Sequence, residues 1–235
     1  MRIVPSKRAK GDGANPSVVA WPGIQLAPPF LNFLSAILEL MQHIIYLPGV
    51  GDHKNSKIQI RALKKWKRRG IDTHFHHIYW NDEDSFKDKL NAVLSLIDEL
   101  YDKDSSVSIV GVSAGASMAM NAYIERKNKI SAVIFICGKI KNSQTLGDDY
   151  KKRNPRLFES VSASEKAILK LTNADKAKML TVQPIYDGTV AIDDGRINGV
   201  KHTTIFALLH PIAIILSITI YKRLSINFIK SKSVQ

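Results

Sequence analysis

The sequence predicts an α/β fold, a mostly parallel sheet of about six strands with helices on both faces. Three observations predict it. Short β-branched, apolar runs alternate along the chain with stretches whose apolar residues recur at helical spacing. The 235 residues, 45% of them hydrophobic, suffice to bury one full core with a small insertion. No internal repeat or low-complexity tract interrupts the alternation, and the single cysteine, Cys137, excludes an internal disulfide framework.

Residues 1 to about 30 are basic and punctuated by Gly11, Gly13, Pro16, Pro22, Pro28 and Pro29, which predicts an irregular N-terminal arm ahead of one domain over 31–235. Leu31 to Met41 reads as helix and His43 to Leu47 as a strand running into the turn-forming Pro48-Gly49-Val50-Gly51-Asp52. Between Asp52 and Asp72 there is no acidic residue, and Lys54, Lys57, Arg61, Lys64, Lys65, Lys67, Arg68 and Arg69 crowd the interval. Ile58, Ala62 and Trp66 recur there at a spacing of four, so an amphipathic helix with a basic outer face is expected over 54–69, closed by Gly70. Asp72 to Tyr79 is a second strand. Asp84-Ser85 opens a long helix carrying Phe86, Leu90, Val93, Leu94, Ile97 and Leu100 on one face.

Ser106 to Val110 is a buried strand, Ala116 to Tyr123 is rich in helix formers, and Ala132 to Cys137 is a further strand that makes Cys137 a core residue. The chain turns polar from Lys139 to about Lys178, an insertion at about 140–178 expected to act as a cap or lid. Leu180 to Tyr186 restores a strand, and Gly199 to Leu208 supplies the last one. Ile205 to Ile220 holds 16 residues without a charge, read as the end of that strand plus a buried terminal helix. It falls short of the roughly 20 residues of a spanning helix.

The net charge is +13. A solvated helix surface is the plainer reading of the basic stretch; an anionic membrane surface is the sharper one, and nucleic acid suits it less because no groove-reading motif accompanies the charge. Arg2, Lys7, Arg8 and Lys10 are not followed by an apolar stretch and cleavage site, so a cytoplasmic location is expected. The apolar terminal helix with Lys222, Arg223, Lys230 and Lys232 also suits monotopic membrane association.

The motif that carries chemistry is Gly111-Val112-Ser113-Ala114-Gly115, set between a strand and a helix. That context describes a nucleophile elbow: glycines permit a turn too sharp for larger neighbours, and the serine hydroxyl projects from its tip. The helix N-terminus leaves N–H groups available to a nearby anion. A serine needs an imidazole to take its proton and a carboxylate to hold that imidazole.

With this motif, Asp187 after a strand in Tyr186-Asp187-Gly188-Thr189-Val190, and His210 before Pro211 and a terminal helix, the chain resembles the α/β-hydrolase superfamily over roughly residues 43–220. The resemblance implies the order serine, acid, histidine, with Ser113, Asp187 and His210 as catalytic residues. Asp193 and Asp194 are fallback acids, Asp148 and Asp149 weaker ones, and His202 is a rival base at the start of its strand. The resemblance also implies an oxyanion hole from the amides of Ala114 and Val50, with Gly51 the alternative to Val50. The superfamily often has His-Gly where this chain has Pro48-Gly49. Nothing ahead of Ile44 reads as the leading antiparallel pair of that fold.

No cofactor and no metal are expected. His74, His76 and His77 cluster, but no carboxylate or cysteine is seen at ligand spacing. Two functions follow. The preferred one is a serine hydrolase that cleaves a small-molecule carboxylic ester, thioester or related acyl substrate through an acyl-enzyme, or an acyltransferase that passes the acyl group to an alcohol. The other is a catalytically silent hydrolase-fold protein used for binding or membrane docking.

Overall fold

The computed structural model describes residues 42–51, 56–101 and 106–233. The expected N-terminal arm, the helix over 31–41, Asp52 and Lys54 lie outside these residues. Strands β1 (Gln42–Leu47), β2 (Ile71–Phe75), β3 (Ser106–Val112), β4 (Ile130–Ile136), β5 (Met179–Pro184) and β6 (Lys201–Ile205) form one sheet in the order β2-β1-β3-β4-β5-β6. Every pairing is parallel. Among the described residues no strand precedes Gln42.

Strand alternation sends neighbouring side chains to opposite layers. Ile44 and Tyr46 join Ala62, Leu63 and Trp66 on one side, while Ile45 and Leu47 join Val93 and Ile97 on the other. The first layer holds helices α1 (Ser56–Lys64), α7 (His210–Ile218) and α8 (Lys222–Lys230). The second holds α2 (Phe86–Leu100), α3 (Gly115–Glu125) and α5 (Pro155–Ile168). β3 and β4 are covered on both faces, which is why their apolar residues, Val107, Ile109 and Val110 in β3 and Ala132 to Ile136 in β4, are buried without alternating.

Helix α2 begins as its sequence dictates. The Ser85 hydroxyl accepts the Asp88 N–H and the Asp88 carboxylate accepts the Ser85 N–H, closing a capping box. The basic stretch departs from expectation. The α-helix ends at Lys64, and Lys65–Arg69 winds as a tighter 3-10 turn before Gly70 adopts a left-handed φ of 75°. Ile58 is 53% exposed, and Gln59, Ala62, Leu63 and Trp66, spaced i, i+3, i+4, i+7, form the face that turns inward. The Trp66 indole N–H donates to the Ile218 carbonyl at 3.0 Å, fastening this turn to the far end of α7.

β2 also stops earlier than expected, at Phe75. Among the described residues it is the edge strand and pairs only with β1, whose last matched residue is Tyr46. His76 to Tyr79 therefore leave the sheet after one last bond from the His76 N–H to the Tyr46 carbonyl.

The polar insertion contains a 3-10 turn (Ser143–Thr145), α4 (Asp148–Arg153), α5 and α6 (Asn173–Ala177). Its main helix packs on the body of the domain: Ser117 and Ser160 share a hydroxyl hydrogen bond of 2.8 Å, and the Asn121 amide donates to the Ser160 carbonyl at 2.9 Å.

The chain lays down β1, steps to β2 on one side, then crosses to β3 on the other. The connections after β1 and β3 consequently diverge and open a crevice at the carboxyl ends of these strands, where parallel sheets bind ligands.

Candidate active site

Ser113 follows β3 at that crevice, with φ of 51°. A left-handed non-glycine residue costs on the order of 1–3 kcal/mol and persists only when its surroundings over-determine it. Here the Ser113 N–H donates to the Ile136 carbonyl at 2.9 Å, and its own carbonyl accepts the N–H groups of Lys139 and Ala116 at 3.0 and 3.1 Å. Gly115 is glycine for a separate reason. A Cβ there would stand 2.2 Å from the Leu47 carbonyl oxygen, so only glycine lets the start of α3 press against the end of β1.

Asp187 lies just beyond β5, and His210 is the first residue of α7, beyond β6. The fold brings both to the serine. His210 Nε2 is 2.9 Å from Ser113 Oγ, and His210 Nδ1 is 2.7 Å from Asp187 Oδ2. The other carboxylate oxygen of Asp187 accepts the N–H groups of Thr189 and Val190 at 2.9 and 3.0 Å. The side chains of His210 and Asp187 are 9% and 2% exposed. Burial alone would raise the Asp187 carboxyl; the hydrogen bonds from His210, Val190 and Thr189 outweigh it and hold the group below the ordinary carboxylate value.

The rival residues are engaged elsewhere. The Asp194 carboxylate forms a buried ion pair with Lys139 at 2.6 Å and accepts the Asn142 amide. Asp148 is an exposed partner of Lys151. His202 bonds through Nδ1 to the Thr181 hydroxyl at 2.8 Å, near the start of β6 and away from the crevice. Cys137 is buried just after β4, as its apolar setting implies, within reach of the Asp187 and His210 side chains. Burial, reinforced by the Asp187 charge, pushes its thiol pKa upward, which keeps it a protonated, inert group.

Two cavities meet at Ser113. One of about 460 Å³ is lined by Val50, Ile58, Pro211, Ile212, Ile215 and Leu216 together with Ser113 and His210. The other, about 590 Å³, is lined by Ala114, Lys139, Leu146, Tyr150, Leu157 and Val190. Val50 and Ala114, the two residues singled out as amide donors, each line one of the two cavities that reach the serine. Leu146 and Tyr150 bring the polar insertion to the same place. Lys139 was not legible as a site residue; it pairs with Asp194 across 55 positions, and no local pattern announces such a pairing.

The expectation that no carboxylate stands at ligand spacing from His74 needs correction. The Asp72 carboxylate is 3.5 Å from His74 Nε2, and β1 adds His43, whose Nδ1 is 3.1 Å from the same nitrogen. Parallel pairing of β1 with β2 creates this cluster, which a strand-by-strand reading does not see.

Among the described residues no single helix is long and apolar enough to cross a membrane; α7 and α8, bent by 53°, pass only as a pair, on length and composition. No protein-family model matches the chain, and no curated protein matches it. Solved structures do. Est1E from Butyrivibrio proteoclasticus superposes with a TM-score of 0.61 at 15% identity, covering 86% of this chain and 92% of that one. The monoacylglycerol lipase of Paleococcus ferrophilus gives 0.58 at 13% identity, covering 81% and 94%. A meta-cleavage product hydrolase from Pseudomonas fluorescens IP01 gives 0.51 at 13%, covering 81% and 91%. Six parallel strands in this order, a tight turn after the third and these structural neighbours make one conclusion: the chain has the α/β-hydrolase fold.

Proposed function

We propose that the protein is a serine hydrolase that cleaves carboxylic esters, thioesters or related acyl compounds through an acyl-enzyme on Ser113. The observation that carries this reading is the unbroken hydrogen-bond chain from Ser113 through His210 to the buried carboxylate of Asp187. His210 Nε2 takes the hydroxyl proton as Ser113 Oγ attacks the acyl carbon. Asp187 keeps the remaining proton on Nδ1 and stabilises the imidazolium that forms. The oxygen of the tetrahedral intermediate gains negative charge, and the amides of Ala114 and Val50 are the donors assigned to it. His210 then protonates the leaving group. Water, deprotonated by the same imidazole, releases the acid and restores Ser113.

The apolar lining of the first cavity favours an acyl chain there, with the leaving group in the second, beside Lys139 and Tyr150. A lipase among the fold neighbours is in keeping with this choice. Ile212, which lines that cavity, is exposed, as are Leu208 and Leu209 just ahead of His210 in sequence, and α1 carries Lys57, Arg61 and Lys64 on the helix that lends Ile58 to the cavity. An anionic membrane surface is accordingly the partner this reading assigns to that rim. Salt-dependent co-sedimentation with anionic vesicles tests it.

The enzymatic reading is tested by labelling with a fluorophosphonate probe and by an ester panel of graded chain length. Wild type labels and turns over, and Ser113→Ala does neither. Folded wild type that stays unlabelled and inactive on every ester overturns the proposal.

A further inference from the structure

The geometry points to a divalent transition-metal site, best suited to zinc, formed by His43, Asp72 and His74 on the edge of the sheet. His43 Nδ1 and His74 Nε2 are 3.1 Å apart, His74 Nε2 and Asp72 Oδ2 3.5 Å, and His43 Nδ1 and Asp72 Oδ2 3.9 Å. Ligands bound tetrahedrally at roughly 2.0–2.1 Å from zinc stand about 3.3 Å from one another. The three separations bracket that value.

Hydrogen bonding alone accounts poorly for this convergence. Two imidazole nitrogens and a carboxylate oxygen point at one locus, yet among the described residues they make only one hydrogen bond with each other, His43 to His74. The carboxylate lies beyond good hydrogen-bond length from both rings. With the ring protons on the opposite nitrogens, His43 Nδ1, His74 Nε2 and the carboxylate oxygen are three lone-pair donors turned on one point, an arrangement that suits a cation better than a shared proton. The chemistry agrees, since two imidazoles and one carboxylate are borderline-soft donors that zinc accepts, with water completing the shell. The negative charge of Glu99 on α2 also acts on His74.

The sheet dictates the arrangement. His43 is the register partner of Asp72, and His74 pairs with Ile45, so residues 43, 72 and 74 share the face that carries Ile45 and Leu47. All three are half-buried. His43 lies near the start of β1, whereas Ser113 lies past the end of β3, so the metal takes no part in chemistry at the serine. Its role is to clip β2 to β1. This inference stands independently of the hydrolase reading.

The test uses the full-length, tag-free protein stripped of metal, titrated with zinc chloride by calorimetry and with cobalt(II) by visible absorption. Wild type binds one equivalent and melts at a higher temperature with zinc than without. The double variant His43→Gln, His74→Gln loses both effects, and Asp72→Asn weakens binding by more than about tenfold. Zinc-free melting temperatures of each variant are recorded alongside; if the double variant is unfolded, the near-isosteric Asp72→Asn carries the comparison. His210→Gln retains the site. Three results overturn the proposal: no saturable binding by folded wild type, binding that survives loss of both histidines, or binding lost in His210→Gln, which would move the metal to the cluster of Cys137, Asp187 and His210.

Discussion

Replacing Asp187 by asparagine removes a charge but almost no volume, and the contacts around it set the size of the effect. One carboxylate oxygen faces His210 Nδ1 while the other accepts the N–H groups of Thr189 and Val190. An asparagine keeps those two backbone bonds only by turning its NH₂ toward His210. Nδ1 must then accept, the ring proton moves to Nε2, and Nε2 can no longer receive the proton of Ser113. Turning the amide the other way restores the tautomer but sets its NH₂ against the N–H groups of Thr189 and Val190, the latter part-buried, which costs about 3 kcal/mol. Losing the charged bond that stabilises the imidazolium removes about 2 kcal/mol more. Together these amount to a fall of roughly 10⁴ in kcat/KM at about 1.4 kcal/mol per decade. The assay is p-nitrophenyl ester hydrolysis, with melting temperature as the control for folding. A folded Asp187→Asn that keeps more than a tenth of wild-type kcat/KM refutes the reasoning.

Four other outcomes are expected. Asp187 titrates below an unfolded aspartate, whose pKa is about 3.9, so its contribution to stability is complete above that pH and is lost as pH falls through the lower folded value; melting of wild type followed across acid pH should therefore drop more steeply than that of Asp187→Asn. Gly115→Ala drives a methyl into the Leu47 carbonyl, a backbone contact that cannot swing aside, and should destabilise by about 3 kcal/mol in urea unfolding. Lys139→Met strands the Asp194 carboxylate, with only 6% of its side chain exposed, and should cost about 3–5 kcal/mol by the same measurement. Ile212→Trp narrows the first cavity, so kcat/KM for long-chain esters should fall about tenfold relative to acetate; an unchanged chain-length profile would place the acyl group elsewhere.

Local signals were legible and long-range ones were not. The turn at Ser113 and the start of α2 at Asp84-Ser85 are written in a few adjacent residues, and both stand where expected. Asp187 and His210 were reachable through the resemblance, which supplies the chain order that strand context then fills, and both stand at the serine. The inward turn of Gln59 in place of Ile58 was hidden, because a glutamine gives no apolar signal for the buried face. Tyr79 reads as strand by composition, yet β1 has no residues left to pair with it. The meeting of His43 with His74 and of Lys139 with Asp194 depends on which strands and loops become neighbours, information spread over the whole topology.

The distance along the chain between Ser113 and its base has a consequence for biosynthesis. Ninety-seven positions separate the hydroxyl from the imidazole that touches it. During translation the elbow strand and both its neighbours can be complete while no base has yet left the ribosome. On the proposed reading, the nascent polypeptide is thus chemically mute through most of its synthesis, and reactivity waits for α7 to dock.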